Sequence, residues 1–244
     1  MSNRVKLGIS SCLLGWAVRY DGEHKYDGRI FASWSDDFEF VAVCPEVAIG
    51  LGVPRSPIQL VQLGESVRVR GVEDSHVDVT ERLHAYGRSL VAELGEVSGY
   101  IFKARSPSCG LSDVAIHDER GSVMGEGRGV FAEHLCKVLP LLPVVDEGAL
   151  EDEAQRENFL RRAGIYHHWH RVVAEGLSAT RLRQFHDSYQ TLLAESDETE
   201  WRRLSGLIDE LTADNLKAIS SRYIEELMGA VNDTIAGTSP HELL

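Results

Sequence analysis

Short apolar runs alternate with amphipathic stretches through the first 147 residues of the chain. VKLGIS (5–10), FEFVAV (38–43) and GYIFKA (99–104) are brief and rich in β-branched and aromatic residues, which is how buried strands read. Between them, VTERLHAYGRSLVAELGE (79–96) places Val79, Leu83, Tyr86, Leu90 and Leu94 at helical spacing, so one face is apolar and the other solvated. LPVV at 142–145 reads as a closing strand. Strands alternating with helices predict an α/β fold, Rossmann-like and doubly wound around a mainly parallel sheet.

From about Gly148 the texture changes. Glutamates, arginines and leucines at helical spacing fill 151–236, with breaks near Gly176, Ser196 and Thr212, and predict an all-α C-terminal region of three or four helices. The expected organisation is an α/β domain over 1–147, a connecting helix over 148–177 packed on it, and a helical domain over 178–244.

Composition narrows the classes. With 244 residues and 43% apolar composition the chain has material for real cores, and its formal charge of −13 argues against phosphate-rich nucleic acid or anionic membrane as partners. No apolar run reaches the roughly 20 residues of a membrane span, so a cytoplasmic location is expected. Four cysteines spread this widely do not make a disulfide framework. In a reducing compartment, metal binding or catalysis is the better use of them.

Three of the four cysteines fall at the carboxyl ends of predicted strands: Cys12 after VKLGIS, Cys44 after FEFVAV and Cys109 beyond GYIFKA. In an open parallel sheet those ends share the rim where ligands bind. Three thiolates meeting there need a soft cation to neutralise them, which leaves zinc, copper(I) and an iron–sulfur cluster open. Each also arrives with polar company. SSCLLGWAVRYDG (10–22) carries Arg19, Tyr20 and Asp21; VCPEVAIGLGVPR (43–55) carries Glu46 and Arg55; KARSPSCG (103–110) carries Lys103, Ser106 and Ser108. Glu46 can be read as a base beside a ligand or as the ion-pair partner of Arg55 or Arg19, and the two serines can equally serve the turn. Cys136, inside the helical pattern VFAEHLCKVL, reads as a packed helix cysteine.

Taken together, these three segments resemble the thiouracil desulfidase family over residues of about 4–147, and 185–236, from FHDSYQTLLAE onward, is loosely similar to a YbgA-type helical domain. The resemblance implies a [4Fe-4S] cluster on Cys12, Cys44 and Cys109 with one iron left without a protein ligand. It further implies Glu46 as general base with Ser106 as its helper in proton transfer. Arg19, Asp21 and Ser108 are the candidate substrate contacts. The activity implied is non-redox removal of sulfur from a thiolated pyrimidine or a related thiocarbonyl. The competing reading is a cluster- or zinc-binding sulfur-transfer or interaction module, with the C-terminal helices as the surface for a protein partner or a second copy. A cysteine hydrolase built on Cys109 would need a histidine such as His24 or His117 brought to it.

Two further motifs are set aside. GEGRGVF (125–131) has glycines before a helix but lacks the dinucleotide fingerprint. YHHWH (166–170) puts His167 and His170 on one helix face without an acidic or thiol partner at ligand spacing, and reads as a polar face.

Overall fold

The computed structural model describes residues 4–28, 30, 34, 37–196 and 198–233, and its chain falls into two compact units, Met1–Glu151 and Asp152–Leu244. The first is α/β and the second all-α among the described residues.

The first unit is organised by β1 (Val5–Ser10), β2 (Phe38–Val43), β5 (Tyr100–Phe102) and β8 (Val144–Asp146), which form a parallel sheet in the order β2-β1-β5-β8. β1 and β2 run in register from Val5 opposite Phe38 to Ser10 opposite Val43, while Gly8 lies opposite Tyr100. Tyr100, Ile101 and Phe102 are all fully buried, as a central parallel strand covered on both faces requires. The chain leaves β1 on one side for β2 and later returns on the other side as β5. Strand order therefore reverses between β1 and β5, and a crevice opens there at the carboxyl rim.

A second four-stranded sheet was not legible in the apolar runs. It comprises β3 (Ile58–Leu63), β4 (Ser66–Gly71), β6 (Val114–His117) and β7 (Val123–Gly127), in the order β4-β3-β6-β7. β3–β4 and β6–β7 are antiparallel hairpins turned at Gly64 and Gly121, both with positive φ, and β3 pairs parallel with β6. Leu60, Val69 and Val114 from this sheet pack with Val79, which caps α2 (Thr80–Leu94), with Leu83 of that helix and with Val130 of α3 (Val130–Val138). The expected parallel sheet is present, but it carries only half of the strands.

The glycines of GEGRGVF have a structural use. β7 takes Gly125 and Gly127, and Gly129 caps α3 in extended backbone. The free N–H groups of that helix end are taken up: Val130 N donates to Pro107 O, and Phe131 N and Ala132 N both donate to Ser108 O. The residue 105–110 turn thus satisfies the helix terminus, leaving no cradle for a phosphate.

In the second unit, α4 (Glu153–Ala174) begins at Asp152, whose side chain accepts from Gln155 N, and stops before Gly176 at φ 96°. α5 (Ala179–Ser188), α6 (Gln190–Ser196), α7 (Glu198–Asp209) and α8 (Leu216–Asp233) follow. The breaks near Gly176, Ser196 and Thr212 fall where the pattern puts them; a further one, at Tyr189, has no glycine or proline to announce it. Leu182, Phe185, Tyr189, Leu204, Tyr223 and Leu227 form the apolar interior. α4 belongs to this unit, and the stretch 148–177 read above as a separate connector is split at Glu151. His168 of YHHWH has its Nδ1 within 2.9 Å of the Tyr189 hydroxyl, and Tyr166 packs on His170, so the motif is used in packing. Among the described residues, no helix is long and apolar enough to cross a membrane.

A methyl group at Gly129 would lie 2.5 Å from the Ser108 carbonyl carbon and 2.8 Å from Cys109 N. Gly129→Ala is expected to destabilise the first unit by about 1–3 kcal/mol, as overpacking against backbone does. An unchanged urea midpoint would show that the helix does not seat on the turn this closely.

Candidate functional site

A cavity of about 390 Å³ opens in the crevice, and Cys12, Cys44 and Cys109 all line it. Each reaches it by a short turn after a strand. Cys12 sits in the single 3₁₀ turn Ser11–Leu14 that follows β1, closed by Gly15 at φ 89°. Cys44 is the extended residue between β2 and α1 (Pro45–Ala48), where Pro45 starts the helix at its favoured first position. Cys109 lies at the end of the turn that leaves β5, which reverses through Arg105 at φ 58°. Cys136 is on α3 and does not line the cavity.

Burial dominates the thiols. It pushes Cys12 up to about 11, with Cys44 adding to the effect and Lys103 and Arg19 opposing it. Cys44 is raised by burial as well, and Cys109 is raised well above the usual thiol range, by burial first and then by the Glu46 carboxylate. All three therefore hold their protons at neutral pH unless a cation displaces them. Among the described residues, no three His, Cys, Asp or Glu side chains are grouped to hold a single metal ion.

Glu46 follows Cys44 by two residues and stands on the cavity wall, held from both sides. Its Oε2 accepts from Arg55 Nη2 at 2.7 Å and Nε at 2.9 Å, and its Oε1 accepts from the Ser108 hydroxyl at 3.0 Å. Arg55 is anchored in turn by donating Nη1 to the carbonyls of Val18 and Gly52. The side chains of this pair are only 6% and 12% exposed. The ion pair with Arg55 thus exists, and it orients the carboxylate at the cavity.

The two serines have different situations. The Ser106 oxygen lines the cavity and accepts from the backbone N–H groups of Ser108 and Cys109, which leaves its own proton to donate elsewhere. Ser108 is fully buried behind Glu46 and off the cavity wall, so the substrate contact expected of it is not where the structure puts it. The turn that carries both serines passes through the left-handed residue Arg105, which composition does not disclose.

Arg19 lines the cavity and is gripped by Asp21, Nη2 to Oδ2 at 3.1 Å, with its guanidinium over the Tyr20 ring at 5.4 Å. Asp21 itself stands off the wall and acts on Arg19. Neither His24 nor His117 lines the cavity: His24 Nδ1 accepts from Tyr26 N, and His117 contacts Leu60 O in the second sheet. Among the described residues, no imidazole lines the cavity beside Cys109, as a cysteine hydrolase would need.

Three groups escaped the sequence reading. Lys25 is on the wall, Ser10 lies in its floor and accepts from Lys103 N, and Glu147 accepts from Ala104 N at 2.7 Å while pairing with the Lys103 ammonium. Glu147 was legible in principle, because it immediately follows the closing strand on the same rim as the cysteines.

Residues 7–147 match the family model described as 2-thiouracil desulfurase. A curated relative, described as the uncharacterized protein YbbK of Bacillus subtilis (strain 168), is 35% identical over 108 residues, 42% of this chain and 71% of its own. A solved structure, the [4Fe-4S]-dependent thiouracil desulfidase TudS, is 31% identical and aligns with a TM-score of 0.46 over 61% of this chain and 94% of its own.

The two ion pairs of the site differ in burial, and this separates their worth. Arg55→Ala leaves Glu46 buried and unpaired and is expected to cost about 3–5 kcal/mol of stability. Arg19→Ala breaks a pair whose side chains are 21% and 31% exposed and is expected to cost less than about 1 kcal/mol. Denaturant titration of both variants checks the order; equal losses would mean that the Arg55 anchor is not the buried support described.

Proposed function

The chain belongs to the 2-thiouracil desulfurase family, and from its site we propose that it removes sulfur from a thiolated pyrimidine or a related thiocarbonyl by hydrolysis, with a [4Fe-4S] cluster on Cys12, Cys44 and Cys109. The observation that carries this reading is that two buried thiols, the half-buried Cys44 and one fixed carboxylate line a single cavity.

The donor set fits the group. Three thiols with no histidine or carboxylate among them are soft ligands, suited to iron–sulfur chemistry, and a cluster is larger than one ion, so it takes its thiolates from farther apart than a single-ion site would. When bound, such a cluster with three protein ligands supplies a soft Lewis-acidic iron that takes and polarises the thiocarbonyl sulfur.

The remaining work falls to the chain. Glu46, held at Oε2 by Arg55 and at Oε1 by Ser108, takes a proton from the attacking water as it adds to the carbon. Ser106 keeps a hydroxyl proton free while its oxygen is occupied by two backbone donors, and it donates or relays that proton to the developing product. Arg19, fixed by Asp21, presents a cation and a flat face at the cavity wall to a planar heterocycle. The balance is C=S + H₂O → C=O + H₂S, so no oxidant or reductant is consumed.

The test is the full chain prepared without oxygen and offered 2-thiouracil, with uracil and sulfide measured. Glu46→Gln keeps the shape but cannot accept the proton, and is expected to lose on the order of a hundredfold or more in kcat while retaining its iron. Ser106→Ala should lose less. Wild-type turnover in Glu46→Gln would remove Glu46 from the chemistry. A colourless, zinc-loaded wild type without turnover would instead favour the sulfur-transfer or interaction module.

A further inference from the structure

Tyr100 buries a hydroxyl that has no hydrogen-bond partner among the described residues. It lies on β5, the central strand, and is fully buried, its ring packed on Phe102 at 4.2 Å and edge-on to Phe131 at 5.9 Å. The ring occupies the space above Gly8 on the neighbouring strand: a Cβ there would stand 2.3 Å from Tyr100 Cδ2 and 2.7 Å from Cε2. Any residue but glycine at position 8 would push it aside. The sheet is thus built to admit a tyrosine in this place, although phenylalanine would satisfy the apolar packing as well.

What phenylalanine lacks is the hydroxyl, carried by a ring that lies over Gly8, two residues before Ser10 on the cavity wall. The hydroxyl is buried without a completed hydrogen bond, and the polar groups around it are Cys109, Tyr86, Cys44 and Ser10. Ser10 stands near it without making a well-aligned bond, its oxygen already accepting from Lys103 N. A buried, unpaired O–H costs free energy and persists where something else takes its proton. Two of its four polar neighbours are the proposed ligands. A thiol is a poor acceptor, but a metal-bound thiolate is a good one.

Resting on the cluster reading above, we infer that Tyr100 is a positioning residue that donates a hydrogen bond from beneath the site to the Cys109 thiolate, with Ser10 beside it, and so holds electron density away from the cluster. Hydrogen bonds to ligand sulfurs favour the more negative, reduced form, and they steady the ligand bond against loss of iron. Nothing in this role touches the substrate.

The test uses the full chain carrying its cluster, prepared without oxygen, and reads the midpoint potential and the rate of iron loss to a chelator. Tyr100→Phe is expected to shift the potential to more negative values and to speed iron loss severalfold, with the fold unchanged by circular dichroism. A fluorotyrosine at position 100, the same shape with a stronger donor, is expected to shift the potential the other way, which a merely structural role would not do; this variant decides the matter if Tyr100→Phe fails to hold iron. Potentials equal to wild type in both variants would overturn the role of Tyr100 and leave the cluster reading standing. A wild type without iron and sulfide would overturn both.

Discussion

The seating of the residue 105–110 turn on the first N–H groups of α3 is the constraint on which the site depends. Three backbone donors of the helix end are satisfied by the carbonyls of Pro107 and Ser108, and Gly129 N closes the contact on Gly110 O. One piece of main chain thereby fixes three side chains: Cys109 at the cavity, Ser106 with its oxygen committed to the turn, and Ser108 behind Glu46. Because these bonds are backbone bonds, little side-chain entropy is lost in holding that geometry. The requirement explains why glycine stands at 129, where any Cβ would strike the turn.

The rest of the site is supplied by the parallel sheet. Strands that run the same way end on the same rim, so residues 12, 44 and 109 meet although nearly a hundred positions separate the first from the last. The reversal of strand order between β1 and β5 opens the crevice, and Glu147 after β8 ties down the start of the same turn through Ala104 N. In a chain of net charge −13, the wall also gathers Arg19, Lys25, Arg55, Lys103 and Arg105 around the thiols and one carboxylate. Four of these cations are paired with carboxylates, Arg19 with Asp21, Arg55 with Glu46, Lys103 with Glu147 and Arg105 with Asp113, so the chain itself balances most of the charge it brings to the wall.

The sequence disclosed what depends on position along a strand and withheld what depends on a single dihedral. The strand-end cysteines could be placed because β-rich runs stop abruptly before them, and Cys136 could be set apart because helical spacing surrounds it. The second sheet escaped because the alternation of Val67 and Val69 with Arg68 and Arg70 is brief and sits between proline- and glycine-rich stretches. Read with Gly64 as a turn, it would have announced a hairpin. The resemblance sets Ser106 above Ser108, but which of the two lines the cavity required the fold. The turn that carries them passes through Arg105 at φ 58°, an arginine in a conformation that usually asks for glycine. Glu46 was legible as a candidate, but that Arg55 and Ser108 hold its two oxygens required the fold.

The central claim, that three strand-end thiols form one iron–sulfur site, is tested most directly by counting iron and acid-labile sulfide in protein purified without oxygen, for wild type and for each cysteine replaced singly by serine. The account predicts a coloured wild type, severe loss of both counts in Cys12→Ser, Cys44→Ser and Cys109→Ser, and full retention in Cys136→Ser. Full retention in any of the first three, or loss in Cys136→Ser, would contradict it.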